Sequence, residues 1–191
     1  PSLGRALDAD YANLQFVVSA YLGGLALFQP LQGLLSDRFG RRPVLLGGFT
    51  LFALASLLAS IETSLPGLVF ARFLQAMGAS VATVISRAIV RDSFEPEPAA
   101  VALSFISAVM GVAPIIAPSA GGIAADFFGW RGIFWVNAVI AALLVVLLTI
   151  TLRETRPTDL RPMSFKELFG GFRILARERR FMGYEIGRAH V

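Results

Sequence analysis

The sequence of 191 residues has no cysteine, a single histidine and little charge: Asp, Glu, Lys and Arg together make up only 16% of it. Each shortage removes a class of function. Without cysteine there is no disulfide framework, no thiolate metal site and no cysteine nucleophile. The one histidine, His190, stands next to the last residue, so no imidazole is placed for acid–base work in the body of the chain. No nucleotide-binding loop, metal-ligand cluster or Ser/His/Asp arrangement is present, and no enzyme is indicated. A soluble domain carries about 25% charged residues. The balance here, with 55% hydrophobic residues, is that of a membrane protein. There is also no initiator Met and no signal-peptide pattern, and the sequence reads as starting inside a longer protein.

What is present is a succession of apolar runs separated by short polar turns. Spans are expected at about 12–35, 44–61, 65–87, 99–127 and 132–152, each near the ~20 residues a helix needs to cross a bilayer core. The net charge of +4 comes from arginines concentrated in alternate turns: Arg38, Arg41 and Arg42, then Arg87 and Arg91, then Arg153 and Arg156. Only Arg5 and Arg131 fall on the other side. The arginine-rich side is therefore cytoplasmic, and the charge reports topology rather than nucleic-acid binding. The lipid bilayer is the first partner implied. Glu95-Pro96-Glu97-Pro98 breaks the chain between the third and fourth spans. Trp130, in the outer turn before the fifth, suits the membrane interface.

The most polar short run among the apolar segments is Gly33-Leu34-Leu35-Ser36-Asp37-Arg38-Phe39-Gly40-Arg41-Arg42-Pro43. Ser36 to Pro43 reads as a tight turn between two spans. Topology accounts for its three arginines but not for Asp37, since acidic residues contribute little to orientation. Gly33 removes a side chain where helices can approach closely. Gly40 can adopt a positive φ, which so short a reversal needs. The pattern G-x-L-x-D-R-x-G-R-R resembles the cytoplasmic loop signature of the major facilitator superfamily, between its second and third helices. That resemblance implies a conformational latch in which Gly33, Asp37, Arg38, Gly40, Arg41 and Arg42 act with Asp92 to hold the cytoplasmic face closed.

Arg72 is the one basic residue well inside a span, about 10 Å in from Leu65 at 1.5 Å per residue. An intramembrane arginine is costly and faces a cavity or a partner, unless it snorkels to the headgroups. Gln75 shares its face. Arg72-Phe73-Leu74-Gln75-Ala76-Met77-Gly78 resembles the superfamily's fourth-helix motif R-x-x-Q-G-x-G, with Ala76 in place of the first glycine, and implies a role for Arg72 and Gln75 in proton coupling. In the first span, Tyr21, Leu25, Phe28 and Gln32 form one stripe, which either lines a cavity or packs on a neighbouring helix. Tyr21 and Gln32 are its cavity-lining candidates.

In the fourth span, Ser104, Ser107, Gly111, Pro114, Pro118, Gly121, Gly122 and Ala125 fall within an arc of roughly 100° at 100° per residue. A stripe of small residues lets helices pack closely in lipid, and two prolines would bend it. Gly111, Pro114, Pro118, Gly121 and Gly122 also resemble the superfamily's antiporter motif g-x-x-x-G-P-x-x-G-G, with Ala117 where the pattern has glycine. In exporters of the family that motif seals the path between the two halves.

Three motifs in order imply an all-α, multi-pass membrane protein of the facilitator fold. The five spans would be helices two to six of its N-terminal six-helix half. Arg87 to Asp92, Gly129 to Trp135 and Arg153-Glu154-Thr155 further resemble the bicyclomycin and chloramphenicol resistance branch, bacterial inner-membrane drug/proton antiporters. The implied activity is proton-coupled efflux of small drug-like molecules, with the proton gradient as energy source, no cofactor, no metal, no nucleic-acid partner and a monomeric full-length protein. The acid partner of Arg72 would lie in a first helix outside this sequence. An importer of a small metabolite and a non-transporting membrane sensor are the alternatives on the same scaffold, and a membrane-embedded enzyme would need catalytic residues beyond this chain. Residues 153–184 read as the central cytoplasmic loop, with an amphipathic helix opened by the capping box Ser164-Phe165-Lys166-Glu167. Residues 185–191 resemble a translated sequencing adapter and are set aside.

Overall fold

The computed structural model describes residues 10–157. The expected amphipathic helix, the outer loop before Asp10 and the adapter-like tail lie outside the described residues. Four helices account for nearly everything between: α1 (Tyr11–Phe39), α2 (Arg41–Ile61), α3 (Leu65–Ser93) and α4 (Pro96–Thr151). All four are long and apolar enough to cross a membrane.

The turn expected over residues 36–43 is far tighter than that. Both helices run up to Gly40, which alone breaks them, with φ 103°. Its amide donates back to the Ser36 carbonyl at 3.0 Å. The next turn, Glu62–Ser64, ends on an N-cap: Ser64 Oγ accepts from the Gly67 amide at 3.2 Å, with Pro66 in the first turn, where no N–H is missed.

α4 differs from the two separate spans expected there. It is one helical run of 56 residues interrupted only at Gly129, with φ 68° and ψ 173°. At 1.5 Å per residue an unbroken helix would be about 84 Å long, against a bilayer core of about 30 Å. The packing shows how the break resolves this. The first arm, 96–128, begins beside the arginine-rich end of α3. The second, 130–151, begins at the outer end, where Trp130 and Phe134 pack on Val17, Ala59, Leu68 and Ala71. It finishes at the inner end, where Leu148 and Leu152 pack on Leu45, Val81 and Ile85. The direction of the chain therefore reverses at one glycine, which divides the run into two arms.

α3 is the central element. It packs along α1 on one side and α2 on the other, while α2 carries the second arm of α4. The contacts are close because small residues sit at the crossings. A side chain on Gly78 would meet the Gly48 carbonyl oxygen and the Phe52 nitrogen at 2.6 Å. Ala76 replaces the glycine of the fourth-helix pattern, and the space is recovered opposite it: Gly24 of α1 lies so near that a Cβ there would be 2.7 Å from that of Ala76. The first arm of α4 presents apolar side chains outward, among them Val101, Phe105, Ile115 and Phe127.

Candidate functional site

Two polar constellations stand out in this apolar bundle, one at the arginine-rich ends of α1, α2 and α3 and one toward the opposite ends, between α1, α3 and α4.

The inner one is built on Arg41, the first residue of α2. Ending α1 at Phe39 puts Asp37 and Ser36 on the last turn facing α3. Restarting at Arg41 turns its guanidinium back over them. Nη1 bonds both Ser36 Oγ, at 2.7 Å, and Asp37 Oδ1. Nε donates to Asp92 Oδ2 at 2.9 Å, on the last turn of α3. The Arg41 side chain is only 7% exposed, and Asp92 12%. Charge-assisted bonds of this kind are short and directional. Removing Arg41 from so buried a cluster would leave both carboxylates uncompensated. Of the expected latch residues, the structure thus joins Asp37, Arg41 and Asp92. Gly33 lies where α1 meets α3, with Val84 the nearest neighbour to a Cβ there, at 3.9 Å. Arg38 is exposed and lies over the Phe39 ring. Arg42 turns away from the cluster and donates to the Thr149 carbonyl at 2.6 Å.

A residue not singled out as a site in the sequence completes this end. Glu154, just past α4, accepts the α2 backbone amides of Arg41, at 2.8 Å, and Arg42, at 3.2 Å. It also accepts those of Thr155 and Arg156, at 3.1 and 3.0 Å. Burial alone would raise this carboxyl, but the backbone amides of Arg156, Arg41, Arg42 and Thr155 outweigh it and hold it below the usual carboxylate range. The missing signal was a helix start without a cap of its own. Gly40 precedes α2 and has no side chain to accept the orphan amides.

The outer constellation centres on Arg72. Its guanidinium carbon lies 4.2 Å from the centre of the Tyr21 ring and 5.9 Å from that of Phe134. Nη1 donates to Gln75 Oε1 at 3.0 Å. The Gln75 amide donates in turn to Ser56 Oγ at 2.7 Å, and Ser56 to the Phe52 carbonyl at 2.7 Å. Gln75 and Ser56 are fully buried. Arg72 is thus packed among aromatic rings and an amide chain, and among the described residues no carboxylate pairs with it.

The α1 stripe faces α3. Tyr21 stacks on Arg72, and the Phe28 and Phe73 rings meet edge to face at 5.4 Å. Gln32, for which the sequence leaves cavity lining and helix packing both open, is buried, its amide donating to the Met77 carbonyl at 3.2 Å. An amide inside a helix pair needs such a partner, so it belongs to the packing. The small-residue stripe of α4 does not enter either site. Among the described residues, no atom lies within 4 Å of a Cβ placed on Gly111, Gly121 or Gly122. Apart from Gly129 the helical dihedrals hold through the run, Pro114 and Pro118 included.

The family model of the Major Facilitator Superfamily matches residues 1–187. The chain belongs to the Major Facilitator Superfamily. This superfamily of membrane transporters accounts for the helical fold with its membrane-spanning-capable helices. Among curated superfamily proteins, the chain is 38% identical over 189 residues to an uncharacterized MFS-type transporter, YdgK, of Bacillus subtilis, covering 97% of this chain and 47% of that protein. It is 33% identical over 157 residues to the multidrug resistance protein MdtL of Escherichia coli O81, covering 82% of this chain and 40% of that one. The MdtL of Shigella dysenteriae serotype 1 matches to the same extent. The chain spans less than half the length of these superfamily relatives.

Proposed function

We propose that this chain is part of a bacterial inner-membrane exporter that moves small drug-like molecules outward in exchange for protons. Its spans act as helices two to six of the N-terminal half, which rocks against a second half around a shared central site. The observation that carries this reading is the Asp37–Arg41–Asp92 joint, which ties the α1–α2 turn to the end of α3. Such a joint is what an alternating-access carrier needs on one face, because it can be made in one state and broken in the other. The resemblance to proteins named for multidrug resistance favours export over uptake. The resemblances around Arg87, Gly129 and Arg153 favour the bicyclomycin and chloramphenicol resistance branch.

Arg72 supports the coupling half of the proposal. A guanidinium held by rings and an amide keeps its charge available for a carboxylate brought by another segment, whose pKa it would depress. No cofactor is needed for this, since the proton gradient supplies the energy.

The deciding experiment is drug-driven proton movement in proteoliposomes holding the full-length protein. Export with counterflow of protons is expected, abolished by Asp37→Asn while the protein stays in the membrane. Substrate accumulation in cells would favour the importer, and absence of any flux the sensor.

A further inference from the structure

We infer that Glu154 is a positioning residue for the Arg41 joint, a carboxylate clamp from the end of α4 that fixes where α2 begins. The inference rests on the reading of that joint as the cytoplasmic latch, and adds to it the element that holds it in register.

Arg41 must satisfy two carboxylates on two different helices at once, and its side chain starts from the first residue of α2. The first turn of a helix is its least constrained part, since its amides have no intrahelical acceptor. Here the residue before it is a glycine at φ 103°, which adds freedom and no cap. Glu154 answers both problems. Its Oε1 takes the amide of Arg41 itself and its Oε2 that of Arg42, so both oxygens grip the helix start. A negative group also suits the positive end of the helix dipole. The fit leaves no room for a side chain at position 40: a Cβ there would lie 2.6 Å from Glu154 Oε2. Two further struts bind the same segments. Arg42 reaches the Thr149 carbonyl, and Arg156 reaches the Arg38 carbonyl at 2.9 Å. The ends of α1 and α4 and the start of α2 are thereby one knot, and the guanidinium of Arg41 projects from it toward Asp92.

The joint forms part of the wall of a partly open groove of about 530 Å³, together with Gly33 and Ala88. Ala88 therefore reports whether the joint is closed. In the full-length protein freed of other cysteines, Ala88→Cys is labelled from the cytoplasmic side with a charged maleimide. Arg41→Ala serves as the reference for an open joint. Loss of the clamp is expected to speed labelling roughly tenfold in Glu154→Ala, within the range of coupling between contacting residues. Glu154→Gln, which keeps an amide oxygen for one of the two α2 amides, should fall between. The double variant Arg41→Ala with Glu154→Ala should label no faster than Arg41→Ala alone, because the clamp acts through Arg41. A purely structural Glu154 would give additive effects. If Arg41→Ala opens the site and both Glu154 variants label as the parent does, the clamp is wrong and the latch stands. If Arg41→Ala itself leaves labelling unchanged, the latch reading falls and the clamp with it. Folding of each variant is checked by its elution profile in detergent, and Glu154→Gln keeps the test open should Glu154→Ala fail to fold.

Discussion

Arg41 bonds Asp92, 51 residues away, at 2.9 Å, and with the same guanidinium it holds Asp37 one turn before it. Three helix ends therefore share one nearly buried cation. Truncating Arg41 strands two carboxylates, whereas removing one carboxylate leaves the cation still paired. Arg41→Ala should accordingly cost more stability than Asp37→Asn, on the scale of about 3 kcal/mol for breaking a buried pair. Thermal unfolding of the full-length protein in detergent orders the two. Equal losses would mean that the carboxylates do not share the charge.

Helix contact makes a sharper distinction between glycines of the neighbouring helices α3 and α2. Gly78→Ala drives a methyl into the backbone of α2, which cannot rotate away, and should destabilise by about 1–3 kcal/mol. Gly47→Ala meets nothing within 4 Å. It should be neutral or stabilise by roughly 0.5–1 kcal/mol through helix propensity. Melting temperatures of the two variants, measured side by side, must move apart in that order.

At Arg72 the ring and the fork can be separated. Tyr21→Phe keeps the aromatic face, so transport should be preserved. Tyr21→Leu loses a cation–π contact of about 1–2 kcal/mol and should lower drug-driven proton flux severalfold. Arg72→Lys keeps charge but loses the planar fork that meets Gln75, and should restore only part of the flux lost in Arg72→Ala. Ser56→Ala frees the Gln75 amide and should shift the pH profile of exchange without lowering abundance. A native profile in Ser56→Ala would detach that amide chain from coupling.

The depressed carboxyl of Glu154 gives stability a definite pH sense. Its folded pKa lies below the ordinary 4.5, so the folded state binds fewer protons there than the unfolded chain. The contribution is fully present above about pH 4.5 and is lost as pH falls through the folded value. The arginines around it keep their charge throughout. The melting-temperature gap between the parent protein and Glu154→Gln should be constant from pH 8 to 5 and narrow below. A gap that widened on acidification would reverse the assignment.

Orientation is checked by single cysteines. Ser64→Cys should react with an impermeant reagent in whole cells, and Arg42→Cys only after the membrane is opened. Labelling at position 42 and not at 64 in intact cells would invert the topology.

Much of the site was legible because its members are local or patterned. Asp37 and Arg41 are four residues apart in a polar run between apolar ones. Arg72 and Gln75 share a helical face. Other parts depend on distance in the chain. Nothing near α2 says that its amides are capped from Glu154, although a helix opening on glycine and arginine needs an acceptor from somewhere. Gln32 read as cavity lining because a polar residue in a span signals either water or a partner, and only the third dimension supplies the Met77 carbonyl. Helix ends differ too: polar residues such as Ser36 and Asp37 read as turn, yet their side chains are satisfied by the Arg41 guanidinium and the helix continues through them. The near-merger of the last two crossings turns on Gly129, whose dihedrals no periodicity encodes.

The clamp also sets an order in time. Glu154 is made 113 residues after Arg41, which at 5–20 residues per second is a delay of roughly 6–23 s. During that interval α2 has emerged, its first amides are served by water alone, and Arg41 has both its carboxylate partners only once Asp92 has been made. Synthesis thus makes the partners of the ion pairs available first and that of the backbone grip last. A chain stalled or cut between Asp92 and Glu154 would carry the charges of the joint on an untethered helix start, which offers a quality-control protease its opening before the fold is complete.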